Sequence, residues 1–191
     1  MSRAAHPLYA QEWPIGEYRF FQLGFVVRDL VQAANKWAAV HGVGPFHLIP
    51  VVEQQLVVRG QPAPVSMQVG IAQAGPVQIE LIQQHCDRPS IYRDWSQEGS
   101  RPFHQLATLT PDYDAKKREF ESLGYRLAAE SPDGPVRLGY FDTLADFGFY
   151  TEVVERTEAL LERWELVSRT CASWDGTDPV RLMTKEGYRV P

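Results

Sequence analysis

Two stretches of this sequence repeat one another, and the repeat limits the folds open to the chain. Residues 20–29 read FFQLGFVVRD, and residues 103–112 read FHQLATLTPD. An internal repeat indicates one structural unit built twice, so a position in one copy should have a counterpart in the other. The matched positions are Phe20/Phe103, Gln22/Gln105, Leu23/Leu106, Gly24/Ala107 and Asp29/Asp112.

The repeat continues beyond these stretches. Each aspartate begins a helix-like run that ends at a glycine, Gly42 in the first copy and Gly124 in the second. Each copy then ends in an apolar strand with a glutamate inside the apolar run, VQIELIQQ around Glu80 and FYTEVVER around Glu152. Aromatic and β-branched runs between turn residues predict strands, and apolar residues at helical spacing predict a helix. The chain is therefore predicted to run strand, helix and several strands, twice.

Polar segments join and flank the two predicted modules. The first module closes with strands before and after a proline-rich break at residues 61–64. The C-terminal segment begins with an amphipathic helix that has Leu160, Leu161, Trp164 and Val167 on one side. The predicted organisation is an N-terminal arm (1–17), a first module (18–83), a linker with a short helical turn (84–101), a second module (102–155) and a C-terminal helix and tail (156–191).

Composition and charge argue against several classes of partner. The chain has 191 residues, a net charge of -5 and a pI near 5.5, so nucleic acid and anionic membranes are poor candidates for its main partner. The sequence contains no apolar run long enough to span a bilayer and no apolar core of a secretion signal at its start. Cys86 and Cys171 have no metal-like spacing, so we expect reduced thiols in a cytoplasmic protein.

The glutamates of the two closing strands are the first candidates for a functional site. Glu80 and Glu152 lie inside apolar runs, where a charge is unfavourable unless it is paired, hydrogen-bonded or bound to metal. Gln22 and Gln105 are the polar residues at matching places in the two first strands. Either glutamate could instead face solvent on the open side of a half-covered sheet. The duplication favours a shared cavity to which both copies contribute.

The repeated order and its motifs resemble the vicinal oxygen chelate superfamily of glyoxalases, bleomycin resistance proteins and extradiol dioxygenases. The resemblance runs from Tyr18 to Glu155, and the phrases VVRDL, GVGPF, IELIQ and GYFDT are most similar to the epimerase-like glyoxalase branch. It implies an α+β fold in which two tandem βαβββ modules form a cupped mixed sheet around a divalent metal. Carried over by position, the implied metal ligands are Gln22, Glu80, Gln105 and Glu152.

The first strand of the second module departs from the family pattern, which usually places a histidine at this metal-ligand position. Here the pair reads His104-Gln105, and strict alternation along the strand places Gln105 on the face equivalent to Gln22. Two glutamines and two glutamates would favour Mg²⁺, Mn²⁺ or Ca²⁺. A bulge would instead turn His104 inward and favour Zn²⁺, Ni²⁺ or Co²⁺. Because amide oxygens are weak ligands, a pocket without metal also remains open.

The resemblance implies a metal-assisted proton transfer next to a carbonyl, as in an epimerase, isomerase or lyase, in a homodimer. Glu80 and Glu152 would be the catalytic carboxylates, one of them acting as the base, on a small oxygenated acid or acyl-CoA. The alternative is a non-catalytic binding protein of the bleomycin-resistance type.

Other polar residues are weaker candidates. A substrate carboxylate or phosphate could be bound by Arg59, Arg137 and Tyr140, which could instead be two exposed arginines and a core tyrosine. Surface or structural roles are expected for His41, His47 and His85.

Overall fold

The structure, a computed structural model, describes residues 20–97, 102–184, 187–189 and 191. The predicted N-terminal arm therefore lies outside the described residues. The strands are β1 (Phe20–Val26), β2 (Phe46–Leu48), β3 (Val52–Val58), β4 (Gln61–Ala74), β5 (Val77–Gln84), β6 (Phe103–Thr110), β7 (Leu127–Ser131), β8 (Leu138–Phe141), β9 (Tyr150–Glu155), β10 (Val180–Thr184) and β11 (Gly187–Arg189). The helices are α1 (Leu30–His41), α2 (Ile91–Gln97), α3 (Tyr113–Ser122), α4 (Leu144–Phe147) and α5 (Glu158–Ala172).

Eight of the strands close into a barrel within one chain. Their order is β4-β3-β7-β8-β9-β6-β1-β5, and β5 pairs again with β4 to complete the ring. The first strand of each module runs parallel to its closing strand, whereas the modules meet through the antiparallel pairs β1–β6 and β3–β7. The predicted α+β fold of two βαβββ modules with a curved mixed sheet and a C-terminal helix is confirmed.

The strand register gives the barrel an approximate two-fold symmetry. Gln22 lies opposite Ala107, and Gly24 lies opposite Gln105. The sequence repeat equates Gln22 with Gln105 and Gly24 with Ala107, so a two-fold rotation exchanges these two pairs. The symmetry axis therefore passes between β1 and β6. On the outer side of this pair, Gly24 is beside Glu80 and Ala107 is beside Glu152. The register thus brings both glutamates and both glutamines to the middle of the barrel.

The two module helices begin and end where the sequence predicts. The side chain of Asp29 accepts a hydrogen bond from the backbone N–H of Gln32 at 2.8 Å, and Asp112 does the same for Ala115 at 2.9 Å. Each aspartate therefore caps its helix N-terminus. Gly42 ends α1 with a left-handed φ of 64°, a conformation that glycine adopts without strain.

The proline-rich break predicted at residues 61–64 is wrong, because these residues belong to β4. The turn comes earlier, at Arg59 and Gly60, whose φ angles of 48° and 78° form a tight hairpin between β3 and β4. Pro62 and Pro64 pair only with β3, since β5 joins β4 from Met67 onward. A strand with a free edge tolerates prolines, because their missing N–H donors have no partner strand to face.

A helix follows each closing strand and covers one end of the barrel. Because β5 and β9 point in opposite directions, α2 and α5 lie at opposite ends. Ile91, Tyr92 and Trp95 of α2 pack into a buried cluster with side chains from β3, β4, β5, β8 and β9. The α2 end is therefore filled. Both cysteines are free, and no helix in the described ranges is long and apolar enough to cross a membrane.

Candidate functional site

The barrel contains a cavity of about 800 Å³ on the side covered by α5. Most of its wall is apolar, and three polar side chains at its base come from the residues that the repeat equates: Gln22, Glu80 and Glu152. A concave apolar site with a few convergent polar groups is the usual form of a small-molecule site. The apolar part of the wall includes Ile49, Val52, Leu56, Val69, Ile71, Leu138 and Val154.

A single amide group joins the two glutamates. Gln105 Nε2 donates a hydrogen bond of 2.8 Å to Glu80 Oε2 and lies 3.5 Å from Glu152 Oε2. Gln105 is fully buried beneath the carboxylates, and Glu152 is 4 % exposed. The prediction that both modules contribute polar residues to one cavity therefore agrees with where the structure places these three side chains.

The surroundings of the two glutamates favour their protonated forms. Burial raises the pKa of Glu152 to about 7, although hydrogen bonds from Tyr140 and Gln105 act in the opposite direction. Burial and then the negative charge of Glu152 raise the pKa of Glu80 well above its ordinary value. No arginine or lysine of the described residues offsets these effects. Near neutral pH the pair therefore holds a proton, and a carboxyl group with a pKa near the working pH is suited to general acid–base chemistry.

Gly24 makes room for the bridging amide. A Cβ atom at this position would lie 2.2 Å from Gln105 Cδ and 2.3 Å from Gln105 Nε2. Gly24 is directly opposite Gln105 in the β1–β6 pair, so any side chain there would occupy the space of the amide. The glycine of the first copy thus has a specific role in the site.

The strict register expected for β6 is not what the structure shows. Gly24 pairs with Gln105 but the next residue, Phe25, pairs with Phe103, so His104 is the extra residue of a β-bulge. The equivalent residue of β1, Phe21, is bulged in the same way between the pairs of Phe20 and Gln22. A bulge allows two consecutive side chains to lie on one side of the sheet. His104 and Gln105 are accordingly both fully buried.

Although His104 turns inward, it does not approach the carboxylates as a ligand. Its Nδ1 contacts Gln105 Oε1, and its ring packs between the rings of Tyr92, Trp95 and Tyr150 at centroid distances of 5.0–5.4 Å. Burial lowers the pKa of His104 to about 4, so the imidazole is neutral. Since Nδ1 donates to the amide oxygen, His104 holds Gln105 with its nitrogen towards the glutamates.

Tyr140, predicted as a substrate-binding residue, lies behind Glu152. The two residues are paired across β8 and β9, and the Tyr140 hydroxyl hydrogen-bonds to the Glu152 carboxylate. Tyr92 donates in turn to the Tyr140 hydroxyl at 2.9 Å. Burial raises the pKa of both tyrosines, so both remain neutral donors. Tyr140 therefore positions Glu152 and is separated from the cavity by it.

The polar groups at the cavity base fit the all-oxygen metal set better than the set with histidine. The amide nitrogen of Gln22 donates to Gln78 Oε1 at 2.7 Å, so its oxygen is the atom left for a cavity ligand. With two uncompensated carboxylates, this donor set suits a hard divalent cation. Nowhere in the described ranges do three histidine, cysteine, aspartate or glutamate side chains gather to hold a metal. The contacts of His104 account for its failure to complete such a group.

The two predicted substrate arginines are not brought to this cavity. Arg59 lies in the β3–β4 turn and pairs with Asp94 at 2.8 Å. Arg137 pairs with Glu155 at 2.8 Å and with Asp114 at 3.1 Å. Neither lines the cavity wall. In both cases the acidic partner satisfies the charge that sequence reasoning assigned to a substrate.

Sequence reasoning did not assign several polar residues of the cavity wall to a site, among them His47 and Arg163. His47 is buried and lies 3.3 Å from the Ile71 carbonyl through Nδ1, while its Nε2 has no hydrogen-bond partner in the described part of the chain. Arg163 is exposed on α5. Each is a polar residue inside an apolar pattern, His47 within FHL of β2 and Arg163 within the apolar stripe of α5. This pattern is the sequence signal that could have identified them.

Solved structures of other proteins share the fold of this chain. A hypothetical protein from Bacillus halodurans has a TM-score of 0.58 and 12 % identity, covering 74 % of this chain and 96 % of its own. A variant of Streptomyces coelicolor methylmalonyl-CoA epimerase, in complex with 2-nitronate-propionyl-CoA, has a TM-score of 0.50 and 20 % identity with the same coverage of both chains. At these identities the likeness shows the fold alone.

Comparison with protein families gives a direct assignment. No curated protein matches the sequence. The model of the Glyoxalase/Bleomycin resistance protein/Dioxygenase superfamily matches residues 21–140, which is more than half of the chain and includes most of β1, Glu80, the bulge at His104 and Gln105. The repeated modules, the closed mixed sheet and this match lead to one conclusion: the chain belongs to the glyoxalase/bleomycin resistance protein/dioxygenase superfamily.

Proposed function

We propose that this protein catalyses proton transfer at a carbon next to a carbonyl group, as an epimerase, isomerase or lyase does. The observation that carries the proposal is the pair of glutamates at the cavity, Glu152 buried and Glu80 half-buried, held together by one amide, with a pKa of about 7 at Glu152. One protonated and one ionised carboxyl group side by side can give a proton and take one back. The apolar cavity around them would exclude water from the reacting carbon.

The proposed substrate is a small oxygenated acid or an acyl-CoA. Solved epimerases with this fold include one in complex with methylmalonyl-CoA, an acyl thioester with an acidic carbon between two carbonyl groups. In this chain Glu152 would act as the base, since Tyr140 and Gln105 hold its carboxylate in one orientation. Glu80, beside it on the same amide, would carry or return the proton.

A divalent cation fits this proposal as the counter-charge for the two carboxylates. Glu80, Glu152 and the oxygen of Gln22 would hold it, whereas Gln105 presents its nitrogen to the carboxylates. When bound, such an ion supplies a Lewis acid that stabilises negative charge on a substrate carbonyl oxygen. Mg²⁺, Mn²⁺ and Ca²⁺ are the ions that this oxygen set prefers.

The alternative function is binding without catalysis, as in bleomycin resistance proteins. The observation in its favour is the orientation of Gln105, whose nitrogen stands where a metal would contact both glutamates. Hydrogen bonds already connect the carboxylates in this arrangement. The largely apolar wall would then hold an apolar ligand with no ion.

Hydrogen exchange at the substrate carbon tests the proposal without knowledge of the product. The protein is incubated in D₂O with a panel of acyl-CoA thioesters and 2-oxo and 2-hydroxy acids, with and without Mg²⁺ or Mn²⁺, and deuterium uptake is followed by NMR. We expect uptake by at least one class of compound and a loss of about 100-fold or more in Glu152→Gln.

Glu155→Gln is the matched control, because it changes the same residue type on the same strand outside the cavity. It should keep the exchange rate within about twofold. Elemental analysis of the same samples measures the metal content. If no compound exchanges under any condition, the proposal is wrong and the binding function replaces it.

A further inference from the structure

The α5 helix presents an arginine within its apolar, cavity-facing stripe. Leu160, Arg163, Trp164 and Val167 follow the i, i+3, i+4, i+7 spacing of one helix face, and all four line the cavity. Trp164 packs on the bulged Phe21 at a ring-centroid distance of 4.5 Å. The helix is therefore anchored on the barrel, and Arg163 is held at the cavity by its two neighbouring turns.

Arg163 has no acidic partner in the described part of the chain. The residues one helical turn away from it are Ala159, Leu160, Leu166 and Val167, so the sequence offers it no intrahelical ion pair. On the same helix, Arg169 pairs with Glu165 four residues earlier at 2.8 Å. Arg169 is thus a surface arginine whose charge is paired with a glutamate, whereas Arg163 lines the cavity and its charge is available to a ligand.

The equivalent helix at the other barrel end shows the opposite arrangement. α2 carries Asp94, which is paired with Arg59 of the β3–β4 turn. There the end of the barrel is filled by Tyr92 and Trp95 and the charges cancel. At the α5 end the barrel is hollow and the helix cation is free of such a partner.

Arg163 is the single arginine or lysine among the described residues that line the cavity. The deep carboxylates, Glu80 and Glu152, lie at the base. Of the other two lining carboxylates, Glu53 pairs with Arg88 at 3.1 Å, and Asp133 is exposed on the β7–β8 connection. The cavity is thus acidic at its base and carries its one cation on the covering helix.

We propose that Arg163 binds the anionic group, a carboxylate or a phosphate, of a ligand whose apolar body occupies the cavity. The planar guanidinium group offers two parallel N–H donors that match either anion. The proposal rests on the proposed function only in placing the reactive carbonyl at Glu80 and Glu152. The ligand class is therefore an organic anion with an apolar segment between its charged group and its carbonyl.

Fluorinated probes test this assignment on the full chain by ¹⁹F NMR titration. The probes are 4-fluorophenylacetate, 4-fluorobenzyl phosphate and the neutral 4-fluorophenylacetamide. We expect Arg163→Gln to weaken binding of the preferred anion by about tenfold or more and to leave the amide unchanged. Arg169→Gln, on the same helix, should leave all three affinities unchanged. The anion with the larger Arg163-dependent loss identifies the carboxylate or the phosphate as the recognised group.

Three outcomes would overturn the proposal. Neither anion binds at millimolar concentration; the amide binds as tightly as the anions; or Arg163→Gln and Arg169→Gln weaken binding equally, which would indicate non-specific charge attraction. The titration is repeated in Glu152→Gln. Anion binding that persists there while deuterium exchange is absent in the wild type would support Arg163 and refute the proposed catalysis alone.

Discussion

Replacing Glu152 by glutamine is expected to raise the free energy of unfolding by about 3 kcal/mol at pH 8. The folded protein holds the Glu152 proton up to a pKa of about 7, whereas the unfolded chain releases it near the ordinary glutamate pKa of 4.5. Between these values the folded state binds more protons, so the wild type loses stability as the pH rises. Glutamine keeps the shape without a titrating group, so the gain should be largest above pH 7 and absent below pH 4.5.

Urea unfolding at pH 4.5 and pH 8 in the presence of a chelator measures this effect. Glu155→Gln is the control, because Arg137 lowers the pKa of Glu155 and its carboxylate is therefore stabilising when ionised. That variant should lose stability at pH 8, the opposite sign for the same substitution on the same strand. A loss of stability at pH 8 in Glu152→Gln would show that the folded protein stabilises the ionised carboxylate instead.

The proposed functional site would account for the retention of a residue that destabilises the fold. Buried carboxyl groups without a cation reduce stability, and proteins retain them where chemistry or a bound ion requires them. A divalent ion at Glu80 and Glu152 would favour the ionised forms and reduce the advantage of glutamine. The same urea experiment with added Mg²⁺ or Mn²⁺ therefore reports on metal binding as a smaller difference between the variant and the wild type.

The sequence repeat was sufficient to predict the module order and the residues at the middle of the barrel. Strand side chains alternate, so matching positions within the first strands pair Gln22 with Gln105, and matching positions within the closing strands pair Glu80 with Glu152. The helix caps at Asp29 and Asp112 are contacts with residues three positions later, so the sequence was sufficient to predict them. For the caps the deciding interaction lies within a few residues of the pattern, whereas for the site the repeat itself indicates which distant residues are equivalent.

Features that depend on residues far away in the sequence could not be predicted in this way. The bulge at His104 depends on how β6 pairs with β1, and the strand placement of Pro62 depends on where β5 ends its pairing with β4. Arg59 was a candidate from the sequence and Arg163 was not, yet Arg59 pairs with Asp94, far away in sequence, and Arg163 has no acidic partner in the described part of the chain. Only the closed barrel distinguishes a cavity residue from a surface ion pair.

Gly24→Ala is expected to lower the free energy of unfolding by about 3–5 kcal/mol, because the new methyl group and the Gln105 amide cannot share one space. The displaced amide would leave Glu80 and Glu152 without their common donor in a buried site. The preference of strands for alanine over glycine offsets only about 0.5–1 kcal/mol of this loss. Urea unfolding at pH 7 measures the change.

A double-mutant cycle separates the amide clash from other effects of a methyl group at position 24. In Gln105→Ala the obstructing side chain is gone, so adding Gly24→Ala should change the free energy of unfolding by less than about 1 kcal/mol. Equal losses in both backgrounds would show that the strand itself, and not the amide, rejects a side chain there. A coupling of several kcal/mol would instead establish that Gly24, though without a side chain of its own, is present to let one amide reach two carboxylates. The first copy of the repeat would then be shaped by a residue of the second.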